Sequence, residues 1–336
     1  MKSFFFFVLF SFGTLLSVHA QDQNLQQTAR TFMQQGDFDN AILVLNRALE
    51  NDRNNRDLQK DLVLANYYKR NYAKALEVAK ELIDRNDADV VSFQLAGNVY
   101  KALEEVKEAD KMYKRALKKF PNSGALHSEY GELLWAKQDY NAINLWEKGI
   151  EVDPSFAGNY YNAALFYYYT KDKVWSLLYG EIFVNMESLT ERATNMKKLL
   201  LEGYKEKLFA ESDVTKGQES LKSDFAKAFL QTMNKQSSVA NTGITTETLT
   251  AIRTRFILDW YAAHATKYPF RLFDYHQQLI KEGMFEAYNQ WLFGTVESLP
   301  AYDNWTKTNA EAHNNFAAFQ KGRVFKIPTG QYYQKL

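Results

Sequence analysis

Apolar residues recur along the first half of the chain at the spacing of one face of an α-helix, and the whole pattern repeats about every 34 residues. The alanine that opens one of these apolar stripes occurs at Ala41, Ala75, Ala109 and Ala142. The fourth copy is one residue short. A fifth, degenerate copy has apolar residues at Ala163, Phe166, Trp175, Tyr179 and Ile182.

Each copy contains two helical stretches that carry both small and large side chains at regular positions. Two antiparallel helices can approach closely only where small side chains meet, so this pattern predicts a helix hairpin. A single hairpin cannot bury its apolar face alone, and the copies must therefore stack on one another. The pattern predicts an all-α solenoid of about five helix hairpins.

The third copy has the most complete set of signature residues: Ala96-Gly97, Tyr100, Val106, Ala109, Tyr113, Ala116 and Pro121. In these residues and their spacing the chain resembles the tetratricopeptide repeat (TPR) family over residues 22–187. The resemblance implies a superhelical stack whose first helices line a concave face. The second copy departs from the family pattern, because Leu62-Val63 replaces the usual small pair.

The second half of the chain is also expected to be helical. Ser188-Leu189-Thr190-Glu191 reads as a capping box for a helix over 188–209 that closes the array, which gives a repeat domain over 21–209. Residues 210–336 form a helical C-terminal region, with helices ending at Gly283 and Gly294 and an extended tail from Arg323. The stretch near 273–294 matches the fourth repeat in several positions, as either a degenerate repeat-like hairpin or a chance similarity.

The first twenty residues have the pattern of a secretory signal peptide. Lys2 precedes an apolar run from Phe4 to Leu16, and Val18-His19-Ala20 provides a cleavage site after Ala20. The alternative is an uncleaved anchor, but the run is short for a membrane span. Because the chain has no cysteine, no lipid can be attached at the mature N-terminus. We expect an exported, soluble, periplasmic or secreted protein with no membrane span after cleavage.

The composition and the motifs limit the kinds of chemical activity expected of the chain. The chain has no cysteine and a formal net charge of +1, so a disulfide framework, a thiolate metal site and nucleic-acid binding are not expected. Nucleotide-binding, zinc-protease and nucleophile-elbow motifs are absent from the sequence. The mature histidines do not share helix faces at metal-ligand spacing. No enzyme activity, cofactor or metal is therefore predicted.

The TPR resemblance also implies which side chains face a partner. The corresponding positions of the first helices combine aromatic rings with hydrogen-bonding groups, which suits an extended peptide or a sugar face. Lys60 and Asn98 match parts of a carboxylate clamp, but Leu64 occupies the position of its asparagine. The predicted contact residues are Arg30, Lys60, Tyr67, Gln94, Asn98, Lys101, Glu132, Trp135, Tyr160 and Tyr167.

These features favour an exported scaffold that binds a peptide segment or partner protein of the cell envelope. The fold alone names a binding mode and not a partner. One alternative is a glycan-binding helical protein of the envelope. A second is a hydrolase-like enzyme in the C-terminal half, with candidate acids and bases Asp259, Asp274, His276, Glu282 and Glu286.

Overall fold

The computed structural model describes residues 25–170, 172–218 and 221–335, and every regular element in those ranges is a helix. This confirms the all-α prediction. The chain divides into two compact units, one ending at Pro121 and one beginning at Asn122, so the predicted boundary at 209/210 lies inside the second unit. The proposed leader, 1–20, falls outside the described residues. Within them, no helix has the length and apolar character needed to cross a membrane.

The first unit consists of three helix hairpins. Asn55 and Asp89 cap the helices that follow them through their side chains. Alanines on facing helices, such as Ala41, Ala65 and Ala75, are fully buried where the helices cross. The helices are α1 (25–34), α2 (Phe38–Asn51), α3 (Arg56–Tyr68), α4 (Tyr72–Asp84), α5 (Val90–Ala102) and α6 (Val106–Lys119).

The second unit begins with two further hairpins and a single helix. The hairpins are α7 (Gly124–Ala136) with α8 (Ala142–Val152) and α9 (Ala157–Thr170) with α10 (Trp175–Met186). The closing helix, α11 (Glu191–Glu202), continues as a π-helical turn over Gly203–Leu208. Its cap is Thr190, which accepts from Ala193 N, so the capping box predicted at Ser188 was wrong in its first residue.

The remaining helices of the second unit vary in length, from three residues in α17 to 18 in α14. Gly283 follows α15 with φ of 71°, as predicted for a helix end, whereas Gly294 lies inside a π-helical turn over Gln290–Gly294 and ends no helix, contrary to prediction. The helices are α12 (Asp224–Asn234), α13 (Ser237–Ala240), α14 (Thr246–Ala263), α15 (Arg271–Lys281), α16 (Phe285–Asn289), α17 (Thr295–Glu297), α18 (Leu299–Thr308) and α19 (Ala310–Lys321).

The turn inside each of the first four hairpins uses the same left-handed backbone conformation. Gly36, Arg70, Glu104 and Gln138 have φ values of 77°, 64°, 57° and 59°, and they are spaced by 34 residues. Only the first is glycine, the residue that adopts this conformation without steric cost. The packing of the repeat therefore imposes a left-handed backbone at this turn even where the residue is not glycine.

Glycine at position 104 is expected to stabilise the first unit. A non-glycine residue in the left-handed region costs about 1 kcal/mol, so Glu104→Gly should raise the free energy of unfolding by about 0.5–1 kcal/mol. Lys111→Gly, in the exposed middle of α6, is the control and should lower it by about 1 kcal/mol. Urea titrations of the three proteins measure both values. A loss of stability in Glu104→Gly would show that the turn is not strained.

Close helix contacts explain the small residues of the repeat signature. A side chain on Gly131 would begin 2.3 Å from Nε1 of Trp146, and one on Gly97 would begin 2.1 Å from the hydroxyl of Tyr113. Trp146 uses this space to donate from Nε1 to the Ser128 carbonyl at 3.2 Å. The glycines thus leave room for large rings of the second helices.

The chain after α19 is extended, as predicted, and it returns to the core of the second unit. The ring of Tyr333 stacks on Phe225 at 4.8 Å, and its hydroxyl donates to the Pro269 carbonyl at 2.7 Å. Ser223 donates to the backbone carbonyl of Tyr333 at 2.6 Å. Phe225 also contacts Trp175 of the fifth hairpin at 5.7 Å. The tail therefore completes an aromatic core shared by the repeats and the C-terminal helices.

Candidate functional site

Equivalent polar contacts between the first helices of neighbouring hairpins show how the repeats align with one another. In the first unit, Gln26 and Arg30 both bind Asp61, at 2.7 and 2.9 Å. In the second unit, Ser128 and Glu132 lie 3.2 and 3.1 Å from the amide nitrogen of Asn162. Asn162 of α9 therefore occupies the repeat position that Asp61 occupies in α3. The alignment of the repeats by sequence is one residue too early for α9.

This register corrects two of the predicted contact residues. Tyr160 and Tyr167 are only 1% and 5% exposed, because they lie against Tyr179 on the inner side of α9. Alignment of the repeats by sequence places them one residue too early, and one residue turns a side chain by about 100° around a helix. The equivalent positions are Tyr161 and Tyr168, which are half-buried.

An aromatic patch lies at the carboxyl ends of α7 and α9. It consists of Trp135, Tyr140, Phe166, Tyr168 and Tyr169. Trp135 contacts the rings of Tyr140 and Phe166 at 5.7 and 5.5 Å, and Tyr168 contacts Tyr169 at 5.5 Å. Trp135, Tyr140 and Tyr169 are 37%, 62% and 64% exposed. Rings held in place by one another present apolar area at little entropic cost on binding.

Charged and amide groups border the aromatic patch. Glu132 is exposed beside Asn162 on one side. On the other side, the Tyr168 hydroxyl donates to Glu202 at 3.0 Å, and the Lys207 ammonium lies 3.6 Å from the Tyr168 ring centroid. An apolar centre with a polar rim is the arrangement typical of a protein interface.

In the first unit, two of the three predicted cations are already paired. Arg30 binds the buried carboxylate of Asp61. Lys60 binds Asp89 at 2.7 Å. Burial opposes the charge on Asp89, but Lys60 and the donors of Ser92 overcome it and hold the pKa of Asp89 at about 2. A peptide carboxylate would have to displace Asp89 to reach Lys60, so the structure offers no carboxylate clamp there.

The other predicted residues of the first unit are half-buried on α3 and α5. Tyr67 packs edge-on against the exposed ring of Tyr68 and against Tyr72, at 5.8 and 5.6 Å. No described residue forms an ion pair with Lys101. These side chains do not form a cluster comparable to the aromatic patch: Tyr67, Gln94, Asn98 and Lys101.

Glu147 is buried behind α9 among tyrosine hydroxyls. It accepts from Tyr167 at 2.7 Å and from Tyr179 at 2.9 Å, while the amide of Gln334, from the tail, donates to the Tyr167 hydroxyl at 2.7 Å. Burial raises the pKa of Glu147 to about 7, and the hydroxyl donors only partly oppose the rise. Sequence reasoning missed this group, because its partners Tyr167 and Tyr179 are 20 and 32 residues away along the chain.

A second buried polar network joins the repeats to the C-terminal helices. Glu181 of α10 binds the Arg253 guanidinium of α14, and its Oε1 lies 2.8 Å from Nε2 of His276 and 2.6 Å from the Tyr288 hydroxyl. Arg253 also binds the side-chain oxygen of Asn289. Burial opposes ionisation of Glu181, but Arg253 and His276 hold its pKa at about 2. Burial lowers the pKa of His276 despite this carboxylate.

The structure does not bring the candidate acids and bases together. Of the five, only His276 lies in the buried network. The four carboxylates have separate partners: Asp259 binds Gln236, Asp274 binds Tyr261, Glu282 binds Gln278 and Glu286 binds Trp305. Within the described residues, no group of three or more histidines and carboxylates is placed to hold a metal ion.

Comparisons with known proteins match the fold. Tetratricopeptide repeat family models match residues 27–90 and 92–123. No curated protein sequence matches the chain. A thermophilic TPR protein of Thermus thermophilus is 16% identical, with a TM-score of 0.45, and the similarity covers 54% of this chain and 99% of that one.

Two further solved structures are similar. A tetratricopeptide repeat protein of Parabacteroides merdae is 16% identical, with a TM-score of 0.42, over 77% of this chain and 98% of that one. YrrB, described as a TPR protein with an unusual peptide-binding site, is 20% identical, with a TM-score of 0.38, over 52% and 90%. The hairpins and their 34-residue period agree with the matching family models, and residues 27–90 and 92–123 are tetratricopeptide repeats.

Proposed function

We propose that the protein is a non-enzymatic scaffold that binds an extended segment of a partner protein against the aromatic patch. The observation that carries this proposal is the exposure of Trp135, Tyr140 and Tyr169 at the carboxyl ends of α7 and α9, two helices that pack on each other. Large exposed aromatic residues are costly to leave in water, and a protein retains such a cluster where a partner covers it. TPR folds are scaffolds for protein and peptide partners, which agrees with this use.

The chemistry of the patch indicates what the segment contains. Apolar or aromatic side chains of the partner would contact the three exposed rings. Donors and acceptors of its backbone would meet Glu132 and Asn162 on one border and the Tyr168–Glu202 pair on the other. Because the rings carry most of the contact area, we expect them to be the binding hot spot.

Peptide selection tests this proposal. A random peptide library displayed on phage is selected on the full chain, and the affinity of the selected peptides is measured by fluorescence anisotropy. Tyr140→Ala/Tyr169→Ala should weaken binding by more than about tenfold, as expected for two hot-spot residues. Both tyrosines are largely exposed, so the variant should keep its stability.

Tyr68→Ala is the matched control, because Tyr68 is an exposed tyrosine at the end of α3 in the first unit. It should bind the selected peptides like the unmodified protein. If Tyr140→Ala/Tyr169→Ala bound the peptides as tightly as the unmodified protein, the aromatic patch would be ruled out as their binding site. Retention of a glycan from an array, lost only in Tyr140→Ala/Tyr169→Ala, would instead support the glycan-binding alternative.

We also propose that the protein is exported and works in the cell envelope with an envelope partner. The support is the sequence of residues 1–20, in which an apolar run follows Lys2 and precedes Val18-His19-Ala20. N-terminal sequencing of the protein from fractionated bacterial cells tests this. Export predicts a mature chain beginning at Gln21 in the envelope or medium. An intact Met1 in the cytoplasmic fraction would contradict it.

A further inference from the structure

A small cavity in the second unit lies between the end of α10, the start of α15 and the chain that follows α19. Its volume is about 60 Å³. Its polar lining is rich in hydrogen-bond donors and contains two arginines from distant parts of the sequence. The polar residues that line it are Asn185, Ser188, Arg271, Tyr275, Gln320 and Arg323.

Aromatic rings hold both guanidinium groups in place. The Cζ atoms of Arg271 and Arg323 each lie 5.8 Å from the ring centroid of Tyr275. Arg271 also lies 5.5 Å from the Phe325 ring, and Arg323 lies 4.1 Å from the Phe319 ring. Stacking on rings restricts a guanidinium while leaving the N–H groups at its edge available to an acceptor.

The positive charge in this cavity is not neutralised by the described residues. No carboxylate among them forms an ion pair with either arginine, and the guanidinium of Arg323 donates to the neutral side chain of Gln278, at 3.1 Å. The nearby acids have other partners: Asp274 accepts from Tyr261, Glu187 pairs with Arg192, and Glu181 pairs with Arg253.

Tyr275 lies near both guanidinium groups. Burial raises the pKa of Tyr275 to about 12, and both guanidiniums oppose that rise. Two cations thus act on the same phenol, which lines the cavity. Two like charges that line one cavity repel each other, and an anion bound to both would offset that repulsion.

We propose that this cavity binds an oxyanion, a carboxylate or phosphate group, between Arg271 and Arg323. The fork of N–H donors on a guanidinium matches the paired oxygens of either group. The hydroxyl of Ser188 lies in the lining as a further donor. The small volume suits one such group, either free or at the end of a larger ligand. This site is independent of the aromatic patch and of the function proposed for it.

Calorimetric titration of the full chain tests the proposal. Sodium phosphate and sodium acetate are the two probes, at constant ionic strength and pH 7. We expect saturable binding of at least one, and the one that binds more tightly identifies the group recognised. Arg271→Gln/Arg323→Gln should weaken that binding by more than about tenfold, since it removes both charged donors of the site.

Arg255→Gln/Lys307→Gln is the charge-matched control, because both residues are exposed cations outside the cavity. It should bind the probe like the unmodified protein. Arg323→Gln alone, in the exposed chain after α19, covers the case in which the double variant does not fold. Absence of saturable binding to the unmodified chain, or equal binding by the Arg271 and Arg323 variants, would overturn the proposal.

Discussion

Replacing Arg253 by methionine is expected to lower the free energy of unfolding by about 3–5 kcal/mol, because it leaves the buried carboxylate of Glu181 without its strongest partner. Arg253 and Glu181 are both almost completely buried. The remaining neighbours are His276 and the Tyr288 hydroxyl. They can supply hydrogen bonds but not a permanent charge. Urea unfolding followed by tryptophan fluorescence measures the change.

A double variant separates the ion pair from the packing of its side chains. Arg253→Met/Glu181→Met removes both charges, so its loss of stability should be smaller than that of Arg253→Met alone. Lys227→Met, an exposed cation on α12, is the control and should change stability by less than about 0.5 kcal/mol. A loss below about 1 kcal/mol in Arg253→Met would show that this network does not hold the C-terminal helices on α10.

The stability of the second unit is expected to fall as the pH rises from about 4.5 to about 8, through Glu147. Its pKa is about 7 in the folded chain, against a usual value of 4.5, so the folded state binds more protons in this range. Stability decreases with pH wherever the folded state holds the extra proton. The difference between the folded and unfolded pKa values of Glu147 corresponds to a loss of about 3 kcal/mol in the free energy of unfolding over this pH range.

Glu147→Gln should remove this pH dependence, because glutamine stays neutral and keeps an oxygen that can accept from Tyr167 and Tyr179. The urea midpoint is measured from pH 5 to 8 for both proteins. Burial also raises the pKa of the neighbouring Asp172, and that of His276 is lowered, so only the difference between the curves isolates Glu147. Glu151→Gln, exposed on the same helix, is the control. Parallel curves for Glu147→Gln and the unmodified protein would contradict the assignment.

The sequence was sufficient to predict the hairpins because their determinants are local and repeated. Ala41, Ala75 and Ala109 occupy the same position in three successive repeats, so the same helix contact is indicated three times. Register within the degenerate fifth repeat was less secure. Rings from Tyr160 to Tyr168 occur on both the inner and the outer side of α9, so the pattern does not distinguish the two sides. The contact of Asn162 with Ser128 and Glu132 settled that register only in three dimensions.

The polar networks could not be predicted, because they depend on pairing between distant segments. Glu181 and Arg253 are 72 residues apart, and Gln334 meets Tyr167 across 167 residues. In a linear sequence each is an ordinary polar residue of an amphipathic helix or a tail. Lys197 illustrates the same point: burial lowers its pKa to about 8, and its ammonium donates to the Trp291 carbonyl at 2.8 Å.

The returning tail has a consequence for the order in which the second unit can fold during synthesis. Tyr333 and Gln334 leave the ribosome after every helix that they contact, yet the ring of Tyr333 lies in the aromatic core around Phe225. Domains generally fold from the N-terminus as they emerge, but this core cannot close until residues 331–334 are free. The first unit has no such requirement. The second unit would therefore complete its folding only late in translation, after its last contacting segment has emerged.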